Sequence, residues 1–136
     1  MGTFVFNIAK GRVAELANLS GANDAFIAVL LKSSGLEADG TLEDYDTLAA
    51  ILAATNDEAD FSGYARQTLT GITITVNDTN NRVDVDCADP QWTPAASQSL
   101  GKLLICYDAD TTSGTDANVV PLIGDDFVVT TPSTGQ

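Results

Sequence analysis

Two aspartates on one predicted strand, Asp84 and Asp86, are the closest approach to a catalytic pair in this sequence. Alternate residues of a strand share a face, so we expect the two carboxylates to lie roughly 7 Å apart. Glycosidases use carboxylate pairs at such separations, with one carboxyl kept protonated by its surroundings. The sequence offers no such surroundings, which favours a solvated strand face over a hydrolase site.

The second acidic pattern is DADTTSGTD, at residues 108–116, which has some of the oxygen ligands of a calcium loop. An EF-hand loop needs glycine at its sixth position and a bidentate glutamate at its twelfth. Counting from Asp108, Gly114 is the seventh residue, and Val119, which has no carboxylate, is the twelfth. We therefore expect an ordinary polar loop, and we predict neither a metal nor a cofactor.

The chain lacks residues that the other classes of catalytic site require. The chain has no histidine, which excludes an imidazole base and every Ser-His-Asp or Cys-His arrangement. It has no glycine-rich phosphate loop with its lysine and no dinucleotide fingerprint. Cys87 and Cys106 lie in apolar strand patterns, and we expect reduced thiols of the core rather than a disulfide. The chain is predicted not to be an enzyme.

The strongest feature of the composition is an excess of acid. Against 6 Lys and Arg, 19 Asp and Glu give a net charge of −13 in 136 residues. This charge opposes binding to nucleic acid, whose phosphates need Lys and Arg, and to an anionic membrane. The longest apolar run, at residues 25–31, is too short to cross a bilayer, and the first residues lack the basic start of a signal peptide. We expect one domain over residues 1–136, with residues 1–6 and the tail 132–136 extended.

A β-hairpin is the clearest predicted element, because apolar and polar residues alternate on both sides of a turn at residues 77–81. The alternating apolar positions are Ile72, Ile74, Val76, Val83, Val85 and Cys87. We expect this face to be buried and the Thr and Asp face to meet water. Aspartate at Val83 or Ile74 should then cost several kcal/mol, whereas Thr73→Asp or Asp84→Thr should be mild.

Two helices are predicted to cover the strands. Residues 7–20 have an amphipathic spacing that Gly21 would end. Residues 41–54 begin at Thr41, a good N-cap residue, and present one apolar stripe to the core. The stripe consists of Tyr45, Leu48, Ala49 and Leu52.

Further strands are predicted at residues 25–31, 64–70, 102–107, 118–124 and 127–131. The uninterrupted apolar run at 25–31 indicates a strand covered on both faces, and Pro121 confines its strand to a sheet edge. Leu69 has an odd number and Ile72 an even one, so both cannot face the core along one regular strand. Gly71 between them therefore predicts a bulge or a corner, at which the chain can turn between two sheets. The predicted fold class is α+β and mainly antiparallel β, a β-sandwich or partly closed barrel with two covering helices.

The candidate assembly contacts are Arg66, Arg82, Trp92, Pro121, Phe127 and Val129. The two arginines are rare cations in an acidic chain, and each could pair within the fold or across a subunit contact. Trp92 could anchor a partner or lie in the core. The strand with Phe127 and Val129 has no obvious successor in the sequence, so its edge needs a cover.

Four short motifs resemble a family of small tailed-phage virion proteins, found in phages of actinobacteria and described as minor capsid or head decoration proteins. The motifs are GYAR at residues 63–66, DTN at 78–80, DPQWT at 89–93, and YD at 107–108 before the polar loop. The resemblance covers nearly the whole chain. It implies a structural protein without catalysis.

The resemblance implies a capsid decoration or minor capsid protein on the outer capsid surface of the virion, assembled in the host cytoplasm. Its expected partners are the major capsid protein and further copies of itself, as a homotrimer or another small ring, with neither nucleic acid nor membrane. One alternative is a tail component such as a tube subunit. Another is a sugar-binding module that stacks sugars on Tyr64, Trp92 or Tyr107. For a capsid contact at the last strand, deletion of residues 126–136 should abolish binding more than folding.

Overall fold

Seven β-strands and three short α-helices organise the chain in the computed structural model, which describes residues 2–94 and 96–132. The strands are β1 (Phe4–Val5), β2 (Ala25–Lys32), β3 (Gln67–Thr68), β4 (Thr73–Asn77), β5 (Arg82–Asp86), β6 (Ser99–Asp108) and β7 (Val119–Thr130). The helices are α1 (Val13–Leu16), α2 (Asp39–Leu42) and α3 (Leu48–Ala53). None of the helices in these two ranges has the length and apolar composition to cross a membrane. The predicted tail lies outside the described residues from position 133 onward.

Five strands form one antiparallel sheet in the order β1-β7-β6-β2-β3, and β4 and β5 pair separately as a two-stranded ribbon. This confirms the prediction of a mainly antiparallel β fold with few helices. The sheet is not a closed barrel, because β1 and β3 are its two edges and do not pair with each other in the described part of the chain.

Strand β2 lies inside the sheet, between β6 and β3, and its residues from Ala25 to Leu31 are all buried. This confirms the strand predicted from an apolar run that is covered on both faces. On one face, Leu31 and the β6 residue Leu104 belong to the same core cluster as Leu48 and Ile51 of α3. All four side chains are completely buried, so α3 closes this face of the sheet.

The other face of the sheet, which we call the ribbon-side face, is covered only in part. Phe26 of β2 and Ile105 of β6 point to this face by strand alternation. Together with Ile72 and Val85 they line a small cavity between the sheet and the base of the ribbon. The ribbon therefore packs on one end of this face, and the two layers are sandwich-like only there.

The continuous helix predicted over residues 7–20 is wrong. A 3-10 turn at Asn7–Ala9 and the short helix α1 replace it. Between them, Gly11 has a φ of +80°. This left-handed conformation interrupts the helical hydrogen-bond pattern, and glycine adopts it without steric cost.

The helix predicted over residues 41–54 is also divided, into α2 and α3. Thr47, rather than Thr41, is the N-cap of α3, and its hydroxyl accepts a hydrogen bond of 3.2 Å from the Ala50 N–H. Of the predicted stripe, Leu48 is fully buried, and Tyr45 and Leu52 are partly buried and pack against the core. Leu42 and Ile51, which the stripe did not include, are fully buried as well.

The predicted corner at Gly71 is confirmed. Gly71 has a φ of +65° and lies between β3 of the main sheet and β4 of the ribbon. The strand predicted at residues 64–70 shortens to the two residues of β3. The chain leaves the main sheet immediately after Leu69, which is buried.

The two last predicted strands, 118–124 and 127–131, form the single strand β7. Pro121 is buried opposite Cys106, where the register between β6 and β7 shifts, and a missing N–H is tolerated at such an irregularity. The prediction of an edge strand is therefore wrong for this half, since β1 and β6 flank β7 at Ile123. Beyond Gly124 the outer edge of β7 pairs with no other strand among the described residues.

The hairpin is confirmed, but its predicted burial is wrong at the tip. Strands β4 and β5 pair antiparallel with Val76 opposite Val83. These two side chains are 69% and 47% exposed, and Ile74 is 38% exposed. At the base of the ribbon, Ile72, Val85 and Cys87 are partly buried and pack against the core as predicted. No layer among the described residues covers the tip.

Because the tip is open to solvent, Val83→Asp should lower the free energy of unfolding by no more than about 0.5 kcal/mol. Leu104→Ala, in the closed face of the sheet, should cost about 2–5 kcal/mol. Urea unfolding of the two variants measures both values. Equal losses would mean that a layer of protein covers the ribbon in solution.

Candidate functional site

A completely buried ammonium group lies at the centre of the main sheet. The Lys102 Nζ lies 2.7 Å from Asp39 Oδ1 on α2 and 2.5 Å from Asp126 Oδ1 on β7. It also lies 5.2 Å from the centre of the Phe4 ring, which is a cation–π distance. The same ring lies so close to Gly124 that a Cβ atom there would come within 2.5 Å of it. We call Lys102, Asp39 and Asp126 the lysine centre.

Opposing effects set the protonation of this centre. Burial lowers the pKa of Lys102, but hydrogen bonds to Asp126 and Asp39 more than offset this, and the pKa lies above its ordinary value. Burial raises the pKa of Asp39, but hydrogen bonds from Lys102 and from the Gly2 N–H bring it below its ordinary value. Lys102 is therefore a cation at neutral pH and has no lone pair with which to act as a base or nucleophile.

A second polar cluster forms around Arg66. Its Nη2 lies 2.7 Å from Glu58 Oε2, and its Nη1 lies 2.6 Å from Asp116 Oδ1. The Tyr64 hydroxyl donates to Glu58 at 2.7 Å and accepts the Leu30 N–H at 3.2 Å. Hydrogen bonds to Glu58 and then Asp116 raise the pKa of Arg66 above its ordinary value. We call Arg66, Glu58, Asp116 and Tyr64 the arginine cluster, and its partners all lie within one chain.

The carboxylate pair of the hairpin is held by its neighbours. Arg82 Nε lies 2.6 Å from Asp84 Oδ1, and Asn77 Nδ2 donates to Asp84 Oδ2 at 3.0 Å. Asp86 is exposed on the same polar face. Both acids lie where the alternation predicts. Arg82, like Arg66, pairs within the fold.

In the loop at residues 108–116, Asp108 and Asp110 accept hydrogen bonds from residues of the loop itself. Hydroxyls of Ser113 and Thr112 donate to Asp110 at 2.6 Å and 2.5 Å, and the Thr112 N–H donates at 2.9 Å. These bonds lower the pKa of Asp110 to about 2. The Asp110 N–H in turn donates to Asp108 Oδ1 at 3.1 Å. No group of three His, Cys, Asp or Glu in the described ranges is placed to hold a metal ion.

Both cysteines are free thiols of low reactivity. Cys106 is completely buried, and burial raises the pKa of its thiol. Cys87 is partly buried, and burial together with Asp86 and Asp89 raises its pKa as well. Because the thiolate is the nucleophile, neither thiol is activated for catalysis.

Tyr64, Trp92 and Tyr107, the three aromatic residues predicted to stack on a sugar, form hydrogen bonds within the fold through their polar atoms. The Trp92 Nε1 donates to the Ala65 carbonyl oxygen at 2.7 Å. The Tyr107 hydroxyl donates to Asp24 at 2.9 Å, and Tyr64 belongs to the arginine cluster. All three rings are partly buried.

Three apolar surfaces of the described structure are exposed to solvent. The first is the ribbon tip formed by Ile74, Val76 and Val83, which we call the ribbon patch. The second is the outer side of β7 at Val128, the side chain of which is 78% exposed. A register shift against β6 between Leu100 and Lys102 gives β7 an extra residue here and turns Val128 outward.

The third open surface is a groove of about 680 Å³ at the end of the ribbon-side face that the ribbon leaves uncovered. Leu30 and Leu103 lie in the same alternation as Phe26 and Ile105, so they continue the ribbon-side face into the groove. Its other apolar lining residues include Pro90, Trp92, Pro94, Leu100, Phe127 and Val129.

The structure thus brings together three of the six predicted contact residues, Trp92, Phe127 and Val129. Arg66, Arg82 and Pro121 do not line the groove. Both arginines form ion pairs within the fold, and Pro121 is buried.

Sequence reasoning missed the lysine centre. The signal that could have found it is a single lysine, Lys102, beside a buried apolar run, together with the adjacent acids Asp125 and Asp126 on the next strand. A buried cation requires a carboxylate partner, so the two patterns belong together. Asp39, from a different part of the chain, carries no such signal.

Comparison with known proteins returned no match: no family model, no curated protein and no solved structure is similar to this chain.

The lysine centre predicts a sharp contrast between adjacent acids. Asp126→Asn weakens one of two bonds to a buried cation and should lower the free energy of unfolding by about 1–3 kcal/mol. Asp125→Asn, at an exposed carboxylate, should change it by no more than about 0.5 kcal/mol. Urea unfolding at neutral pH measures both. Similar values for the two variants would contradict the assigned role of Asp126.

The arginine cluster predicts that lysine is a poor substitute at one of two positions. Arg66→Lys loses the planar fork that binds two carboxylates, and should cost about 1–3 kcal/mol of stability. Arg82→Lys, at an exposed pair, should cost no more than about 0.5 kcal/mol. Thermal and urea unfolding provide the comparison. If Arg82→Lys lowers the stability more than Arg66→Lys does, the ion pairs of Arg66 with Glu58 and Asp116 do not have the assigned stabilising role.

Proposed function

We propose that this protein is a structural component of a tailed-phage virion, a capsid decoration or minor capsid protein bound to the outside of the head. The observation that carries the proposal is the apolar surface that the fold leaves open, in the ribbon patch, the groove and Val128. Exposed apolar patches on a small domain are typical of protein–protein contacts. The motif resemblance at residues 63–66 and 89–93 supplies the class of partner.

Charge supports a position outside the head and away from DNA. Packed DNA would repel a chain with a net charge of −13. The outer surface carries no such cost, and the shell offers many identical sites, so weak contacts are multiplied by copy number. A protein that binds assembled shell better than free subunits stabilises the shell by mass action.

We assign the shell contact to the outer side of β7. Its edge pairs with no other strand past Gly124 in the described structure, and Val128 is the most exposed large apolar side chain there. An open strand edge accepts an extended segment of a partner, whose main chain completes the hydrogen bonds. The major capsid protein is the proposed owner of that segment.

The tail-component alternative uses the same open edge of β7, so binding to heads separates the two proposals. The sugar-binding alternative has less support, because Tyr64, Trp92 and Tyr107 are partly buried with their polar ends committed inside the fold.

Deletion of residues 126–136 does not test the contact. It removes Asp126 from the buried ammonium of Lys102, and it removes Thr131, whose hydroxyl accepts the Gln98 N–H at 2.8 Å. The deletion should therefore weaken folding as well as binding, because it removes one of the two carboxylates that neutralise a buried charge.

A point variant tests the contact instead. The wild-type protein should co-sediment with heads assembled without it and should raise the temperature at which those heads release DNA. Val128→Asp should weaken binding about tenfold or more, because it places a charge in an apolar contact. Thr75→Asp adds the same charge on the polar face of the ribbon and should bind as the wild type does.

The experiment distinguishes failure of the decoration function from failure of the assigned contact at β7. Wild-type protein that does not bind heads contradicts the decoration function. Normal head binding by Val128→Asp contradicts only the assignment of β7 as the contact.

A further inference from the structure

We propose that the groove of one copy of this protein binds the ribbon patch of a second copy, so that the chain self-associates through a ribbon-in-groove contact. The inference is independent of the proposed function, because it concerns the pure protein without heads. It rests on the packing and the apolar composition of two surfaces that the same chain presents.

The packing that the second copy would make already exists within one chain. The apolar side of the ribbon packs at its base on the ribbon-side face, where Ile72 and Val85 meet Phe26 and Ile105. The groove is the uncovered end of that same face. A second ribbon on the groove would repeat the same kind of contact and complete the layer.

The contact would bury the exposed apolar side chains of both surfaces, which no contact within the described chain buries. A two-stranded ribbon is marginally stable alone in water, and its apolar tip has no cover. The groove exposes Trp92, Phe127 and Val129 on its walls. The ribbon presents an apolar face, with Val76 opposite Val83, to a concave apolar site.

The polar face of the ribbon would stay in water in this contact. Arg82, Asp84 and Asp86 alternate with Val83 and Val85, so they lie on the face that points away from the groove. A ribbon in the groove of a neighbour would therefore bury apolar side chains without burying the ion pair of Arg82 with Asp84.

The contact joins two different patches, so each copy has one ribbon to offer and one groove to fill. Such a contact closes either as a reciprocal pair or as a small ring. The net charge of −13 on each copy opposes association, so the contact should tighten as salt screens the repulsion.

Sedimentation equilibrium of the pure protein at moderate salt measures the association. The wild type should form oligomers as its concentration rises. Val76→Asp should weaken the association about tenfold or more, whereas Thr75→Asp, with the same added charge on the opposite face of the ribbon, should leave it within about threefold of the wild type. A monomeric wild type at every concentration, or equal effects of the two variants, overturns the inference.

Mixing two defective variants distinguishes a ribbon in a groove from two ribbons face to face. A Val76→Asp chain keeps its groove, and a Val129→Asp chain keeps its ribbon, so the mixture should form dimers although each variant alone does not. If the melting temperature shows that Val129→Asp is unfolded, Phe127→Asp replaces it as the groove variant. A mixture that stays monomeric overturns the inference.

Discussion

The buried ammonium of Lys102 is the constraint on which the rest of the structure depends. An unpaired charge in this position would cost several kcal/mol, so the fold must bring carboxylates to it. Asp126 comes from the neighbouring strand β7, and Asp39 comes from α2, which is thereby fixed on the sheet. Asp39 also accepts the Gly2 N–H at 3.0 Å, which ties the start of the chain to the same point. One side chain thus joins four segments that are far apart in sequence.

The same centre links stability to pH at both ends of the scale. The pKa of Lys102 is raised in the folded state, so its contribution is complete below the ordinary value of 10.5 and is lost as pH rises through the folded pKa. The pKa of Asp39 is lowered, so its contribution is present above the ordinary value of 3.8 and is lost as pH falls. Asp116, whose pKa the bond to Arg66 lowers, behaves like Asp39. The fold is held by charge throughout the neutral range.

Alternation and apolar runs predicted the strands well, because β2 and the hairpin each have a local signal. The burial of the hairpin was not predictable, since period-two alternation reports which side chains share a face but not whether a layer covers that face. The predicted helices were interrupted by local features, the left-handed backbone of Gly11 and the cap that Thr47 forms for α3. In the candidate site, Trp92, Phe127 and Val129 were named as separate contacts. Their meeting in one groove depends on the path of the chain after β5, which no local pattern encodes.

The open apolar surfaces follow from the way in which this fold divides its core. The helices close the central part of one face of the sheet, with Leu48 and Ile51 fully buried. On the other face, a two-stranded ribbon has too little width to cover a five-stranded sheet, so it covers one end and leaves the groove at the other. The exposed ribbon patch and the exposed groove are therefore two consequences of one missing layer. A domain that lacks part of a layer can complete it only with protein from outside, which is the physical reason to expect that this chain works in an assembly.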